Sequence, residues 1–372
     1  MKIMMSAGEV SGDLHGERLA RAVLEQTPDT ELIGFGGARM ERAGVKLFRN
    51  FADYNVMGVW EVIKNLRRIL RLLDDLTAYM EEERPDLLVL IDYPDFNWRL
   101  AKRAKKLGIP VFSYIPPSAW AWRKGRAKKC AALADTFVAI FPHELPVYEA
   151  AGANISFLGN PLVDTVKAEL PEKEARAFFG IAPEDHAVLL MPGSRRQEIK
   201  DNLPTMLKVA TAYPGHQPVI AGAPGLEPEY YRQYIGDADV KIVFGKTYPL
   251  LSHSDAALVT SGTATLETSL FRVPQVVCYY VVAGRLASFI FRHFFHTKYI
   301  SLVNLIAGRE VVQELFGVRF SYDQIHDELG RVLNDHAYRR RMLDGYDEMI
   351  RLLGKPGASR RTAELIYQSL KH

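Results

Sequence analysis

The sequence predicts an α/β protein built from two similar, doubly wound parallel domains. Short apolar runs rich in β-branched residues alternate with longer amphipathic runs, which is the pattern that repeated βαβ units produce. This alternation starts again after Pro161, and polar turns containing glycine follow several of the predicted strands. A chain of 372 residues is long enough to bury two domain cores.

The predicted elements follow the chain in this alternating order. The first series has strands at 2–5, 31–34, 87–92, 111–115, 136–140 and 155–157, and helices at 15–26, 59–82, 98–107 and 144–151. The second series has strands at 187–191, 218–221, 241–243, 256–259 and 275–278. We place the domains at 1–165 and 166–349. We place a C-terminal helical segment at about 350–372. Gly354-Lys355-Pro356-Gly357 interrupts the helices there, and we expect the last helix to pack back on the first domain or to be exchanged in a dimer.

Composition excludes several classes of protein. The net charge of +3 creates no field that favours nucleic acid as a partner. Cys130 and Cys278 lie far apart and lack zinc-type spacing, so we expect no disulfide framework and a reducing compartment. The N-terminal residues do not have the pattern of a cleavable leader, and no apolar run is long enough to span a bilayer. We therefore expect a cytoplasmic protein.

The first predicted turn, Ser-Ala-Gly-Glu-Val-Ser-Gly-Asp at 6–13, joins the first strand to the first helix. Open α/β sheets bind ligands at such turns, because glycine permits close backbone approach and the next helix presents unpaired N–H groups. Glu9, Ser11 and Asp13 supply the polar side chains. We expect these three residues to line a binding site.

Two carboxylates end the strand predicted at 87–92, in Ile-Asp-Tyr-Pro-Asp-Phe-Asn at 91–97. A carboxylate beside a sugar hydroxyl acts as a general base when its pKa and distance suit. Asp95 or Asn97 instead caps the helix predicted from Trp98, and we expect one of them to do so. Further on, Ser-Ala-Trp-Ala-Trp-Arg at 118–123 combines indoles with cations, which predicts a phosphate-binding or membrane-facing surface.

Two turns of the second domain have the character of a diphosphate site. Pro-Gly-Ser-Arg at 192–195 offers backbone donors, a hydroxyl and a guanidinium at a helix start, although a capping turn with solvated arginines is the simpler interpretation. Ser-Gly-Thr-Ala-Thr-Leu-Glu at 261–267 is similar, and Glu267 either binds ribose hydroxyls or caps its own helix. Together the turns predict a nucleotide-diphosphate site that has neither a Walker nor a dinucleotide fingerprint.

The helix predicted at 59–82 is basic and has a broad apolar face, which is typical of helices that bind anionic membrane surfaces. A second basic and aromatic stretch lies at 285–298. Each stretch alone is more often a core helix with a solvated edge, but together they favour interfacial association. The residues predicted to contact the membrane are Trp60, Ile63, Leu66, Arg67, Arg68, Ile69 and Leu70.

The order and content of these motifs resemble the lipid-A-disaccharide synthase family. The shared motifs are the segments at 6–13, 91–97, 118–123, 192–195 and 261–267, with Asn-Leu-Ile-Ala-Gly-Arg-Glu at 304–310. The resemblance covers nearly the whole chain and implies a GT-B fold, with two Rossmann-like domains facing a cleft. It implies an inverting hexosyltransferase that needs no metal and no cofactor. The implied substrates are UDP-2,3-diacylglucosamine and 2,3-diacylglucosamine 1-phosphate, and the implied products are a β-1,6-linked disaccharide 1-phosphate and UDP.

The resemblance also implies roles for individual residues. On the acceptor side, Asp95 is the first candidate for the general base and Asp92 the second. The donor-binding residues would be Gly193, Ser194, Arg195, Ser261, Gly262 and Thr263 at the diphosphate, with Glu267 and Asn304 at uridine or ribose. The residues lining the acceptor side of the cleft would be Glu9, Ser11, Asp13, Trp120 and Arg123. The family implies peripheral binding to the cytoplasmic face of the inner membrane and a dimer with exchanged C-terminal segments, and it leaves the role of Asn160 open.

Two other classes of function compete with this interpretation. Another GT-B enzyme, either a UDP-sugar epimerase or a transferase acting on a lipid-linked sugar, shares the fold and UDP but lacks this set of motifs. A non-catalytic peripheral membrane protein accounts for the basic helix, but it needs neither diphosphate-type turn nor the Asp92 and Asp95 pair.

Overall fold

The computed structural model describes residues 1–54, 59–117, 124–166, 186–236, 238, 240–260, 262–281 and 298–371, with the side chains of 59–66 and 124 left out. The chain forms two compact units. Unit 1 comprises Met1–Pro161 together with Gly354–His372, and unit 2 comprises Leu162–Leu353. The divisions fall after Pro161 and Leu353, whereas the sequence predicts them at 165 and 349.

Unit 1 contains a seven-stranded sheet in the order β3-β2-β1-β4-β5-β6-β7, and all of its strand pairs are parallel. The strands are β1 Lys2–Ser6, β2 Glu31–Gly36, β3 Lys46–Asn50, β4 Leu87–Ile91, β5 Val111–Tyr114, β6 Thr136–Ala139 and β7 Ile155–Phe157. The helices are α1 Val10–Gln26, α2 Ala38–Arg42, α3 Val59–Glu83, α4 Pro94–Lys106, α5 Lys124–Ala131 and α6 Leu145–Glu149, with α14 Ala358–Leu370 from the C-terminus.

The central strand β4 is apolar along its whole length because helices cover both faces of the sheet. All five residues of β4 are buried. Successive residues serve opposite faces, so Leu88 and Leu90 pack in one core cluster with α3 and α4, whereas Val89 and Ile91 pack in another with α1 and α14. The strand order reverses direction between β1 and β4, which places the carboxyl ends of these two strands at the topological switch point.

Unit 2 repeats this plan with a six-stranded sheet in the order β10-β9-β8-β11-β12-β13. The strands are β8 His186–Met191, β9 His216–Gly222, β10 Lys241–Phe244, β11 Ala256–Val259, β12 Gln275–Tyr279 and β13 Glu314–Phe316. The helices are α7 Arg196–Ala210, α8 Pro228–Ile235, α9 Thr247–Ser252, α10 Thr263–Leu270, α11 Leu302–Ala307, α12 Tyr322–Asn334 and α13 His336–Leu352. Its switch point lies between β8 and β11, where the chain again leaves the first strand through a polar turn.

Helix α14 belongs to unit 1 although it is the last element of the chain. Ala363 and Ile366 are fully buried in the core that α1 and the sheet share. The Tyr367 hydroxyl donates to the Val23 carbonyl at 3.0 Å, and the Gln26 amide donates to the Arg360 carbonyl at 2.9 Å. In this structure α14 therefore packs on α1 of its own chain.

Candidate functional site

The turn after β1 is tied to the turn after β4 by one buried side chain. Asn97, in the first turns of α4, donates to the Asp92 carbonyl at 2.7 Å and to the Ser6 carbonyl at 3.2 Å. The Ser6 hydroxyl in turn donates to the Asn97 side-chain oxygen at 2.7 Å. Because Asn97 is 1% exposed, this network fixes the ends of both strands that flank the switch point.

The prediction that Asp95 or Asn97 caps a helix starting at Trp98 is wrong. Helix α4 starts at Pro94, and its capping position is Tyr93, in a left-handed conformation. Asp95 and Asn97 therefore both lie inside the helix. Proline is favoured in the first turn of a helix, because its missing N–H would have no partner there anyway.

Asp92 has the environment of a general base and Asp95 does not. Burial raises the pKa of the Asp92 carboxyl above its usual value, and Asp92 and Tyr93 both have a φ of +50°, a costly conformation for residues with side chains. The Asp95 side chain is 96% exposed and pairs with Arg126 at 3.1 Å. The two candidates therefore differ in burial and in ion pairing.

Glu9 and Ser11 begin α1 on the exposed side of the first turn. Glu9 is the capping residue of α1 and has an extended backbone. Burial is the main cause that raises the pKa of the Tyr93 hydroxyl, and the charge of Glu9 raises it further. Glu9 is therefore close enough to the Asp92 loop to influence it electrostatically. Gly8 is required between them, since a Cβ atom there would lie 2.2 Å from the Tyr93 ring.

Asp13 differs from its neighbours because the fold already uses its carboxylate. The side chain is 4% exposed, and it accepts the backbone N–H groups of Gly37 at 2.9 Å, Arg39 at 3.1 Å and Met40 at 3.0 Å. These donors lie at the start of α2, and a carboxylate at a helix N-terminus is favourable. Asp13 therefore anchors α2 to α1 and is not positioned to contact a substrate, contrary to prediction.

Sequence reasoning missed Glu144, which follows β6 at the same edge of the sheet. It is 3% exposed, and burial, together with the charge of Asp92, raises its pKa to about 8. Its carboxylate accepts the Phe141 N–H at 3.3 Å. The signal was present as a glutamate just after a strand, in Ile-Phe-Pro-His-Glu at 140–144. Unit 1 thus has a partly buried carboxyl group after β4 and a buried one after β6.

Asn160 has a structural contact that the sequence could not assign. It is fully buried and donates to the Ile140 carbonyl at 2.9 Å. This bond joins the end of β6 to the segment that leads out of unit 1. The contact supports the shape of the edge that carries Glu144.

In unit 2, the turn after β8 carries backbone donors and an exposed cation. The N–H groups of Ser194 and Arg195 point to one oxygen of Glu198, at 3.0 and 3.2 Å. The Arg195 side chain is 82% exposed. Gly193 has a φ of +118°, and a Cβ atom there would lie 2.5 Å from the Glu198 side chain, so only glycine fits. The turn therefore presents a positive helix N-terminus that already holds a carboxylate.

A second turn, after β11, leads into α10. Gly262 has a φ of +125°, and both Gly262 and Thr263 are exposed at the helix start. Glu267 accepts the Tyr248 hydroxyl at 2.9 Å, and burial raises the pKa of its carboxyl. The Thr260 hydroxyl is buried and has no hydrogen-bond partner within the described part of the chain. This edge of the sheet thus combines an exposed helix N-terminus with a desolvated carboxyl group.

Asn304 does not reach out toward a ligand, which corrects its predicted role. It is fully buried, and its amide donates to the Val312 carbonyl at 2.8 Å and to Glu314 at 2.9 Å. Its oxygen accepts the N–H groups of Val311 at 2.7 Å and Val312 at 3.0 Å. Every hydrogen-bonding position of the side chain is occupied, so Asn304 shapes the segment that leads into β13.

Asn202 on α7 is a second residue that the sequence did not suggest. It is 1% exposed and donates to the Pro192 carbonyl at 3.2 Å, while it accepts the Tyr280 N–H at 2.8 Å. It therefore connects the turn after β8 to the end of β12. Its role in unit 2 matches that of Asn97 in unit 1.

Several predicted residues lie outside the described part of the chain. These are Ser261, Trp120 and Arg123, the side chains of Trp60, Ile63 and Leu66, and the stretch 285–297. Their predicted roles stay predictions.

The described half of α3 divides into a buried and an exposed part. Leu72, Leu73, Leu76 and Met80 are buried in the core of unit 1, and Ile69 packs partly against it. Arg67, Arg68 and Arg71 are exposed, and Leu70 is 38% exposed. Among the described residues, no helix is both long enough and apolar enough to cross a membrane, and no three His, Cys, Asp or Glu side chains gather as metal ligands would.

Comparison with known proteins agrees with this architecture. A sequence model described as lipid-A-disaccharide synthetase matches residues 3–366. The chain is 39% identical to the lipid-A-disaccharide synthase of Syntrophus aciditrophicus over 376 aligned positions, covering 99% of this chain and 98% of that protein. It is 36% identical to the enzyme of the same name from Geobacter metallireducens, covering 99% of this chain and 97% of that protein.

Solved structures show the same fold at low identity. UDP-GlcNAc 2-epimerase from Neisseria meningitidis, bound to UDP-GlcNAc, superposes with a TM-score of 0.69 at 15% identity, covering 99% of this chain and all of that one. MurG from Acinetobacter baumannii superposes with a TM-score of 0.59 at 15% identity, covering 99% of both chains. The fold class is therefore GT-B, with two Rossmann-like units, as predicted.

Proposed function

Because the chain belongs to the lipid-A-disaccharide synthetase family, we propose that it joins UDP-2,3-diacylglucosamine to 2,3-diacylglucosamine 1-phosphate. The products are the β-1,6-linked disaccharide 1-phosphate and UDP. The chain is a hexosyltransferase of lipid A biosynthesis that uses a UDP-sugar. The observation that carries this conclusion is a family match from residue 3 to residue 366, which includes both sets of strand-end turns.

Unit 2 binds the UDP part of the donor. The turn at Gly193, Ser194 and Arg195 and the helix start at Gly262 and Thr263 both offer positive helix N-termini to a diphosphate. When the sugar leaves UDP, negative charge grows on the diphosphate, and fixed donors stabilise that charge more than they stabilise the bound donor. The exposed Arg195 guanidinium adds a charge-assisted hydrogen bond.

Glu267 contacts the ribose hydroxyls of UDP. The Tyr248 hydroxyl holds one carboxylate oxygen of Glu267 at 2.9 Å, which fixes the side chain in one orientation and leaves the other oxygen to accept ligand hydroxyls. Asn304 acts indirectly, because its hydrogen bonds fix the conformation of the segment that leads into β13.

Unit 1 binds the acceptor, and Asp92 is the general base. The 6-hydroxyl proton passes to the Asp92 carboxylate as its oxygen forms the new bond to the anomeric carbon, and the bond from that carbon to the UDP oxygen breaks on the opposite face. A carboxyl whose pKa is raised by burial is a stronger base than an exposed carboxyl. Glu9 and Ser11 line the acceptor site, and Asp95 with Arg126 lies at its rim.

We also propose that unit 1 binds peripherally to the cytoplasmic face of the inner membrane, where both substrates carry acyl chains. The exposed Arg67, Arg68 and Arg71 beside the exposed Leu70 support this proposal, because cations and an apolar residue together suit an anionic lipid surface. Ile69 packs toward the core and is not part of this surface. We further propose that α14 is exchanged between two copies in a homodimer; Gly354 and Gly357, with φ of +82° and +93°, stand in its connection, where glycine permits a change of backbone direction.

Incubation with both substrates and mass spectrometry of the lipid products tests the function directly. We expect the disaccharide 1-phosphate and stoichiometric UDP from wild-type protein, and only starting material when the acceptor is omitted. An epimerase would instead change the donor sugar without an acceptor, which the same spectra, after chromatographic separation of sugar epimers, would reveal. UDP binding without any disaccharide would contradict the proposed reaction.

A further inference from the structure

The turn after β8 already holds an anion that belongs to the protein. One Glu198 oxygen accepts the N–H groups of Ser194 and Arg195 at 3.0 and 3.2 Å, and the other oxygen lies 3.5 Å from the Arg195 guanidinium. These two N–H groups and this cation are the groups assigned above to the donor diphosphate. The carboxylate therefore occupies the same set of donors that a phosphate oxygen would use.

The backbone is shaped around this carboxylate. Gly193 adopts a φ of +118°, and a Cβ atom there would lie 2.5 Å from both the Cβ and a carboxylate oxygen of Glu198. The Glu198 side chain is only 19% exposed, whereas that of Arg195 is 82% exposed. The contact is thus a packed feature of the turn, and it keeps the N–H groups aligned while no ligand is bound.

Two negative groups cannot share these donors at full strength. A diphosphate that approaches the turn meets the Glu198 charge at close range, where an interaction between like charges costs free energy. The Arg195 guanidinium also divides its attraction between the carboxylate and the ligand. Binding of the donor requires Glu198 to release the two N–H groups, or it proceeds against the charge of this side chain.

We propose that Glu198 is a built-in competitor of the donor diphosphate, which holds the turn in its binding shape and weakens the affinity for UDP. This inference rests on the proposed donor site. Its consequence for the reaction is easier release of UDP after transfer, because the carboxylate returns to the same two N–H groups as the diphosphate departs. Glu198 acts on the affinity of the product and does not contact the reacting carbon.

Glu198→Gln tests the proposal, because glutamine keeps an oxygen that accepts the two N–H groups while the negative charge is removed. We expect UDP to bind about tenfold more tightly to this variant in calorimetry, equal to about 1.4 kcal/mol. Uridine, which lacks the diphosphate, should bind equally to both proteins. Inorganic pyrophosphate should show the same gain as UDP.

Asp201→Asn is the matched control, since it removes a carboxylate one turn further along α7, where Asp201 pairs with Gln197 at 2.8 Å. This control should leave UDP affinity unchanged. Unchanged or weaker UDP binding by Glu198→Gln would show that Glu198 only caps the helix and would overturn the inference, as would an equal gain for uridine. A wild-type protein that binds no UDP would overturn the donor site itself and this inference with it.

Discussion

The turn after β1 and the turn after β8 occupy the same place in two sheets of the same topology, yet the polar groups around them differ. In unit 1 the surrounding carboxyl groups are Glu9, Asp92 and Glu144, and two of these are desolvated enough to raise their pKa values. In unit 2 the turn offers N–H groups and the exposed Arg195. A common fold thus supplies the position, and a few side chains decide which chemical groups lie there.

The two turns also differ in how their own carboxylates, Asp13 and Glu198, are hydrogen-bonded. Asp13 is 4% exposed and is held by three N–H groups from a different helix, so its contacts belong to the folded core. Glu198 is held by two N–H groups of its own turn at the protein surface. The donors of Asp13 thus come from another helix, whereas those of Glu198 come from the same turn, where we propose that the donor diphosphate competes for them.

The largest expected effect is on the chemical step in unit 1. Asp92→Asn should lower kcat by about 10²- to 10⁴-fold, because it removes the proposed general base, while UDP affinity stays near that of the wild type. Asp95→Asn, the matched control, should lower kcat by less than tenfold, since that side chain is exposed and ion-paired. Steady-state kinetics with circular dichroism would check both variants.

In unit 2, the corresponding prediction concerns Arg195 and the binding of UDP. Arg195→Ala should weaken UDP binding by about tenfold to a hundredfold, the range for a charge-assisted hydrogen bond, whereas Arg196→Ala should not, because Arg196 stacks over Tyr230 at 4.6 Å. If Asp92→Asn reduced UDP affinity and left kcat intact, the division of labour between the two turns would be wrong.

A smaller effect concerns the pH dependence of stability. Burial raises the Glu144 pKa from 4.5 to about 8, so folding takes up a proton between these values. The stability that this group contributes is present below about pH 4.5 and is lost as pH rises through about 8. The melting temperature of the wild type should therefore fall relative to that of Glu144→Gln between about pH 5 and pH 9.

Comparing the wild type with Glu144→Gln separates the effect of Glu144 on stability from that of other titrating groups. One such group is His15, whose pKa is lowered by burial to about 4. Glu149→Gln, an exposed glutamate on α6, is the matched control and should leave the pH profile unchanged. Parallel melting profiles for wild type and Glu144→Gln would contradict the assignment of a buried, protonated carboxyl at this edge.

The smallest effect on the chemistry is expected at the membrane surface of α3. The triple variant Arg67→Ser, Leu70→Ser and Arg71→Ser should reduce sedimentation with anionic vesicles by about tenfold or more, because each cation near the surface contributes about 1 kcal/mol. Activity on detergent-dispersed substrates should not change. Arg99→Ser with Lys102→Ser removes the same positive charge from exposed positions on α4 and should have little effect. Equal loss of binding by both variants would show that general charge, rather than α3, drives association.

Much of the fold could be predicted because buried parallel strands are apolar throughout. The run Leu-Leu-Val-Leu-Ile in β4 leaves no other assignment. Two strands escaped prediction for physical reasons. β3, Lys46–Asn50, is an edge strand with no fully buried residue, and β13, Glu314–Phe316, has three residues and begins with a glutamate. Neither strand contains an apolar run that is long enough to be recognised as a strand in the sequence.

The site was less predictable, because residue type does not reveal which way a polar side chain turns. Asn304 and Asp13 have the chemistry of ligand-binding residues, but their bonds are made within the protein. Asp92 and Asp95 look equivalent in the sequence, and only burial distinguishes them. Nothing in the sequence singles out Glu198, and the distances to Ser194 and Arg195 were needed to relate it to the diphosphate.

The position of α14 has a consequence for biosynthesis. The core of unit 1 includes Ala363 and Ile366, although the rest of that unit is complete at Pro161. At about 5–20 residues per second, roughly 10–40 s separate the synthesis of Pro161 from that of α14. During this interval the surface of α1 that α14 will cover remains open on the nascent chain, while unit 2 emerges with all of its elements. The unit that is translated first therefore cannot complete its core until the last helix of the chain has been made.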